Sequence, residues 1–258
     1  MKSVSYIIIK YRYRMIAIGF WILTWQLISM CIDNSIFLAS PGEVIISLFH
    51  LIGSATFWVT ITNSFVKIAS GFLLAVILGV MLAIITYRYL VLKEVTIVFM
   101  QTIKSIPVAS FVILALLWVK AVNLSILIAF LMVLPIVYTN VMQGISSTST
   151  ELLEMAEVFR IPVTRKFRYI YLPAVTPYFV SACSISLGFC WKSGIAAEVI
   201  SLARNSIGER LYEAKLYLNT KELFAWTIVI VIISVIFEKL VMRLIRLVSK
   251  RITMIKEK

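Results

Sequence analysis

The chain has 258 residues, 61% of them hydrophobic and only 14% charged, with a mean hydropathy of +1.00. A soluble domain of this length needs more charge to cover its surface, so the composition excludes a soluble enzyme core and makes the bilayer the solvent. The net charge of +13 would suggest nucleic acid in a soluble protein, but Lys and Arg gather at the ends of apolar segments, where membrane topology accounts for them.

Apolar runs of roughly 20 residues or more are read as spans. They fall at 15–32, 60–86, 95–119, 122–145, 178–201 and 224–248, which predicts an all-α, polytopic membrane protein of about six transmembrane helices. The basic run of Lys2, Lys10, Arg12 and Arg14 before the first span is like the start of a signal peptide, but no small-residue cleavage site follows Cys31, so a retained helix is expected. Pro41 and Gly42 then break the chain. The run from Val44 to Phe49 is too short to cross and reads as an interfacial helix on the outer surface. Pro107 and Pro135 fall inside the third and fourth spans, where a missing N–H donor and a steric clash one turn back predict kinks.

Charge sets the orientation. Arg88 and Lys93, then Arg160, Arg165, Lys166 and Arg168, then Arg243, Arg246, Lys250, Arg251, Lys256 and Lys258 all fall on the side of the N-terminal basic group, whereas residues 32–57 contain no Lys or Arg. The positive-inside rule makes both termini and the segment 150–177 cytoplasmic. Residues 202–223 run against it, although Glu209, Glu213 and Glu222 nearly neutralise Arg204, Arg210, Lys215 and Lys221. Trp58, Trp118 and Trp226 lie at outer ends, as an interfacial belt would, while Trp21 and Trp25 read as ordinary packing.

Enzyme chemistry finds no constellation. Cys31, Cys183 and Cys190 sit in apolar surroundings as expected buried thiols, with no disulfide framework and no metal site, and His50 is the single histidine. Ser184, Ser186 and Ser193 have no base near them in sequence, so no catalytic residue and no bound cofactor is expected. The ionisable groups Lys192 and Glu198 lie in the fifth span, where each costs on the order of 3 kcal/mol unless paired or hydrated. Six helical residues turn through about 600°, so the two side chains diverge by about 120° and each needs another partner. Gly188 and Gly194 bracket Lys192 and permit close approach of a second helix. Lys192 either lines a solute path, favouring anionic or polar solutes, or makes a structural contact at a seam. Lys67 and Lys104 have stems long enough to snorkel, and Glu238 and Lys239 read as interfacial. Residues 209–217 read as an amphipathic outer helix, a gate or a docking surface.

The most informative segment is 150–177, a polar, basic island among apolar runs that must face water or a soluble partner. Small hydroxyl residues before Glu151, Glu154 and Glu157 predict a helix N-terminus. Pro162 interrupts that helix, and a second, basic helix is expected to start at Val163 or Thr164 and end by Pro173 and Pro177.

These residues resemble a known pattern. Glu154, Met155 and Ala156, three residues to Arg160, and nine more to Ile170, Leu172 and Pro173 match the spacing of the EAA loop of bacterial ABC importer permeases. The stretches at 60–72, 103–107, 191–198 and 206–212 resemble the permeases grouped with uptake of nitrate, sulfonate, taurine and thiamine precursors. The resemblance implies the MetI-like permease fold, with residues 1–56 as an N-terminal tail, first span and outer helix, 57–248 as the permease core, and 249–258 as a basic cytoplasmic tail. It implies a multi-pass permease in a bacterial inner membrane. Two copies would form the solute pathway in the lipid bilayer, ABC ATPase subunits would use the ATP, and an extracytoplasmic solute-binding protein would deliver the solute. Coupling to the ATPase would fall on Glu154, Met155, Ala156, Phe159, Arg160, Ile161, Pro162, Ile170, Leu172 and Pro173, and the pathway on Trp191, Lys192 and Glu198. Met155 replaces the first alanine of the pattern and Arg160 its glycine, so either Pro162 supplies the bend or the geometry differs. A stand-alone secondary transporter or channel is the alternative; its hallmark, inverted repeats, is not seen in the chain.

Overall fold

The computed structural model describes residues 2–253. Lys256 and Lys258, and the side chains of Lys2, Lys10, Arg14, Lys250 and Arg251, lie outside the described residues. All the described elements are helical. α1 (Lys2–Ile32), α2 (Pro41–Ile52), α3 (Ala55–Arg88), α4 (Leu90–Ser105), α5 (Val108–Ala115) and α6 (Ala121–Ser146) come first. α7 (Thr150–Val158), α8 (Val163–Lys166) and a π-helical segment (Phe167–Tyr171) lead into α9 (Leu172–Ser201), and α10 (Ile207–Leu216) and α11 (Thr220–Thr253) follow.

The all-helical, polytopic expectation holds. Among the described residues four stretches are long and apolar enough to cross a bilayer, Met15–Ile32, Ala55–Arg88, Ala121–Ser146 and Val163–Ser201, and α4 with α5 makes a fifth if a pair bent by 101° is one span. The sixth predicted run lies in α11, a helix of 34 residues whose uncharged stretch from Leu223 ends at Glu238 and Lys239. The third span is therefore broken rather than kinked. Proline disfavours the helical region for the residue before it, and Ile106 accordingly takes φ −79°, ψ 126°. Pro135 has no such effect, and α6 runs through it.

The chain divides into two compact units, Met1–Val59 with Arg210–Ile230, and Thr60–Glu209 with Val231–Lys258. In the first, α2 opens on a complete capping box, with Ser40 accepting from Glu43 N–H at 3.4 Å and Glu43 accepting from Ser40 N–H at 3.1 Å. Lys221 Nζ reaches Glu43 at 2.7 Å. Trp25 donates its indole N–H to the Ala39 carbonyl at 3.1 Å and packs 5.3 Å from Phe224. Trp226 departs from its expected interfacial place: it is buried against Phe57, ring centroids 5.1 Å apart, because its N–H finds an acceptor in Glu222 at 3.3 Å. Trp21 and Cys31, expected to pack, are both exposed.

In the second unit α6 and α9 form the central pair. Small residues allow close approach of α3: a Cβ at Gly71 would stand 2.5 Å from the Ile126 carbonyl oxygen, and one at Gly194 2.7 Å from Ile68. Gly188, the other glycine beside Lys192, faces open space. Val112, Ala115, Leu124, Ile128 and Ala197 form a buried cluster joining α5, α6 and α9.

Candidate functional site

The 150–177 segment folds as a short helix, a sharp turn and a continuation into a span. Ser149 caps α7, accepting from Leu152 N–H at 3.3 Å. At the other end Arg160 N–H donates to the Glu157 carbonyl and Ile161 N–H to the Ala156 carbonyl, both at 2.9 Å. This pair of bonds is a Schellman motif, and it requires a left-handed residue between Phe159 and Ile161. Arg160 supplies it at φ 48°. The arginine thus adopts the conformation for which the pattern normally uses glycine, so the geometry is kept although the residue is not. Pro162 follows and caps α8 in an extended conformation rather than making the bend itself.

Beyond Pro162 the expected second short helix does not end at the prolines. α8 passes through the π-helical turn into α9, which holds Pro173 in its first turn and Pro177 within it, so the fifth span begins well before 178.

The loop's residues divide by exposure. Ala156 is fully buried, and Ile161, Ile170, Leu172 and Pro173 are half-buried, so they anchor the segment. Glu154, Met155, Phe159, Arg160 and Pro162 are exposed. Leu152, Met155 and Phe159 recur at three- and four-residue spacing, which puts them on one face of α7, and Phe159 is 72% exposed. An apolar helix face beside a cationic turn is a surface made to be covered.

The three residues singled out in the fifth span separate. Lys192 is exposed, while Trp191 and Glu198 are buried. Trp191 forms a three-ring cluster with Phe65 and Phe237, its ring centroid 6.1 Å from each. Glu198 is fully buried, and its Oε2 accepts from Ser64 Oγ at 2.8 Å and from Gly208 N–H at 3.3 Å. Ser64 Oγ in turn accepts from Ile207 N–H at 2.9 Å. One carboxylate oxygen therefore ties α3 and α9 to the start of α10. Among the described residues, Glu198 Oε1 and the Ser125 hydroxyl are buried without a hydrogen-bond partner. Gly208 is needed for this arrangement, since a Cβ there would collide with Glu198. The stretches around Ser64 and Gly208 stood out in the sequence, but nothing local links residues this far apart.

No group of side chains with metal-ligand character occurs among the described residues. The buried carboxylate positions α3 and the start of α10 against α9.

A family model described as binding-protein-dependent transport system inner membrane component matches residues 71–254. A Bacillus subtilis protein named as an aliphatic sulfonates transport permease, SsuC, is 25% identical over 240 residues, covering 90% of this chain and 83% of its own. The taurine transport system permease TauC of Escherichia coli is 23% identical over 220 residues, 83% and 80% of the two chains. The bicarbonate transport system permease CmpB of Synechococcus elongatus is 25% identical over 159 residues, 61% and 57%.

Proposed function

The chain belongs to the inner membrane components of binding-protein-dependent transport systems, and on that premise we propose how this ABC importer permease meets its partners and what it carries. Two copies form the solute pathway. Separate ATPase subunits dock on the 150–177 loop, with the exposed face of Leu152, Met155 and Phe159 entering a groove on the ATPase and Glu154 and Arg160 meeting polar groups at its rim. A solute-binding protein outside the membrane delivers the cargo. Both termini and the loop are cytoplasmic, as the distribution of Lys and Arg favours.

The observation that supports this reading most directly is the exposed apolar face of α7 on a segment fixed at both ends, by the Ser149 cap and by the Schellman turn at Arg160. A merely solvated loop has no reason to present Phe159 to water. Three relatives are named for aliphatic sulfonates, taurine and bicarbonate, so the cargo class is a small solute bearing an acidic group. Exposed Lys192 is the cation suited to favour it along the pathway.

The test is co-expression with the ATPase of the same locus. Phe159→Asp abolishes co-purification of the ATPase and ATP-dependent uptake in proteoliposomes while the permease still inserts and elutes normally. Retained ATPase, or uptake driven by an ion gradient without ATP, overturns the reading. Ligand binding to the cognate binding protein, measured with sulfonates, taurine and bicarbonate, identifies the cargo.

A further inference from the structure

A feature at the loop end of the second unit has the chemistry of a ligand site. An apolar cavity of about 430 Å³ lies between α3, α6 and the start of α9, with Ile84 and Val163 in its wall and Arg88 and Lys166 as the cations of its lining. A second lobe of about 410 Å³, bounded by Phe179, Val180, Leu244 and Ile245, has no charged side chain in its lining. The lobes share Val80, Val141, Leu172 and Val175, so they adjoin across a common wall.

Charged side chains in this groove are confined to one lobe. Arg88 ends α3 about 12 Å along the helix from the shared Val80, and Lys166 ends α8. Arg88 and Lys166 take part in neither of the ion pairs found among the described residues. Apart from Arg88 and Lys166 the linings are largely apolar, so an amphiphile with two apolar tails and one anionic head matches both the division into lobes and the placement of charge. Basic pockets between spanning helices attract anionic headgroups on general electrostatic grounds.

We propose that the groove holds one anionic diacyl phospholipid, with an acyl chain in each lobe and its phosphate between Arg88 and Lys166. The lipid would fill the space between α3, α6 and the base of α9 and so brace the segment from which the 150–177 loop projects. The proposal concerns a lipid rather than the transported solute and does not depend on the transport reading.

The experiment uses the intact purified chain in detergent, equilibrated with mixed micelles of phosphatidylglycerol and phosphatidylethanolamine of the same acyl composition, with tightly retained lipid read by native mass spectrometry. Phosphatidylglycerol is retained in preference, one molecule per chain. The double variant Arg88→Gln with Lys166→Gln lowers that preference roughly tenfold. Ile84→Trp, a filling substitution at an exposed position, removes the retained molecule of either lipid while the chain still elutes as wild type. Equal retention of the two lipids by the wild-type chain, or unchanged retention in both variants, overturns the proposal. So does disulfide trapping, through Ile84→Cys, of a second copy or of the ATPase in the groove.

Discussion

Arg160 shows how a backbone requirement outlives the residue that usually meets it. The left-handed conformation costs a non-glycine residue about 1–2 kcal/mol, which the two Schellman hydrogen bonds and the following Pro162 hold in place. Arg160→Gly is therefore expected to stabilise the detergent-solubilised permease by up to about 1 kcal/mol, read as a raised thermal midpoint, since glycine's extra unfolded-state freedom offsets part of the gain. Arg160→Val lowers it, because a β-branched side chain is worse still in that region. Glu198 carries the opposite risk. Glu198→Ala leaves Ser64 Oγ and Gly208 N–H without their buried acceptor and costs roughly 3 kcal/mol, whereas Glu198→Gln keeps an acceptor and costs about 1 kcal/mol, both read by thermal unfolding. The loop motif marked position 160 as the place of a glycine, but neither expected outcome, a bend made by Pro162 or a different geometry, is what the chain does: the arginine takes the left-handed conformation itself. The partners of Glu198 were not legible in the sequence, because Ser64 lies 134 positions away and hydroxyl groups in spans are common.

Among the elements, the two internal prolines make the limit of sequence reading concrete. Pro107 and Pro135 carry the same local instruction, yet the helix breaks at one and continues through the other. Tertiary packing decides, since buried residues of α6 line nearly its whole length. The expected end of the basic helix at Pro173 failed for a related reason: a π-helical turn lets the backbone pass from α8 into α9 without a break. α2 was legible in outline, and its cap adds a pH dependence. The Lys221 ammonium, and after it the Ser40 backbone N–H, hold the Glu43 carboxyl below the usual carboxylate range. A depressed folded-state value contributes stability above the unfolded pKa of about 4.3, lost as pH falls through the folded value. The difference in thermal midpoint between wild type and Glu43→Gln is thus expected to be full at neutral pH and to shrink progressively below about pH 4.

For the whole molecule, composition and periodicity were enough to establish a helical membrane protein, because the bilayer leaves few alternatives to a chain this apolar. Orientation is open to direct measurement on the segments that precede and follow α9. With Cys31 replaced, since it is the exposed thiol, Phe159→Cys is expected to react with an impermeant maleimide only in inverted vesicles, and Arg204→Cys only in intact cells. Labelling of both from one side removes the topology. α9 has a mechanical consequence of its own. Its 30 residues make a rod about 45 Å long, joined at its base to the π-helical turn and tied near its tip, through its own Glu198, to Ser64 and the α10 backbone. A tilt of about 5° at the base would sweep the tip through roughly 4 Å, so a stroke too small to disturb packing near α7 arrives at the far end magnified beyond the length of a hydrogen bond.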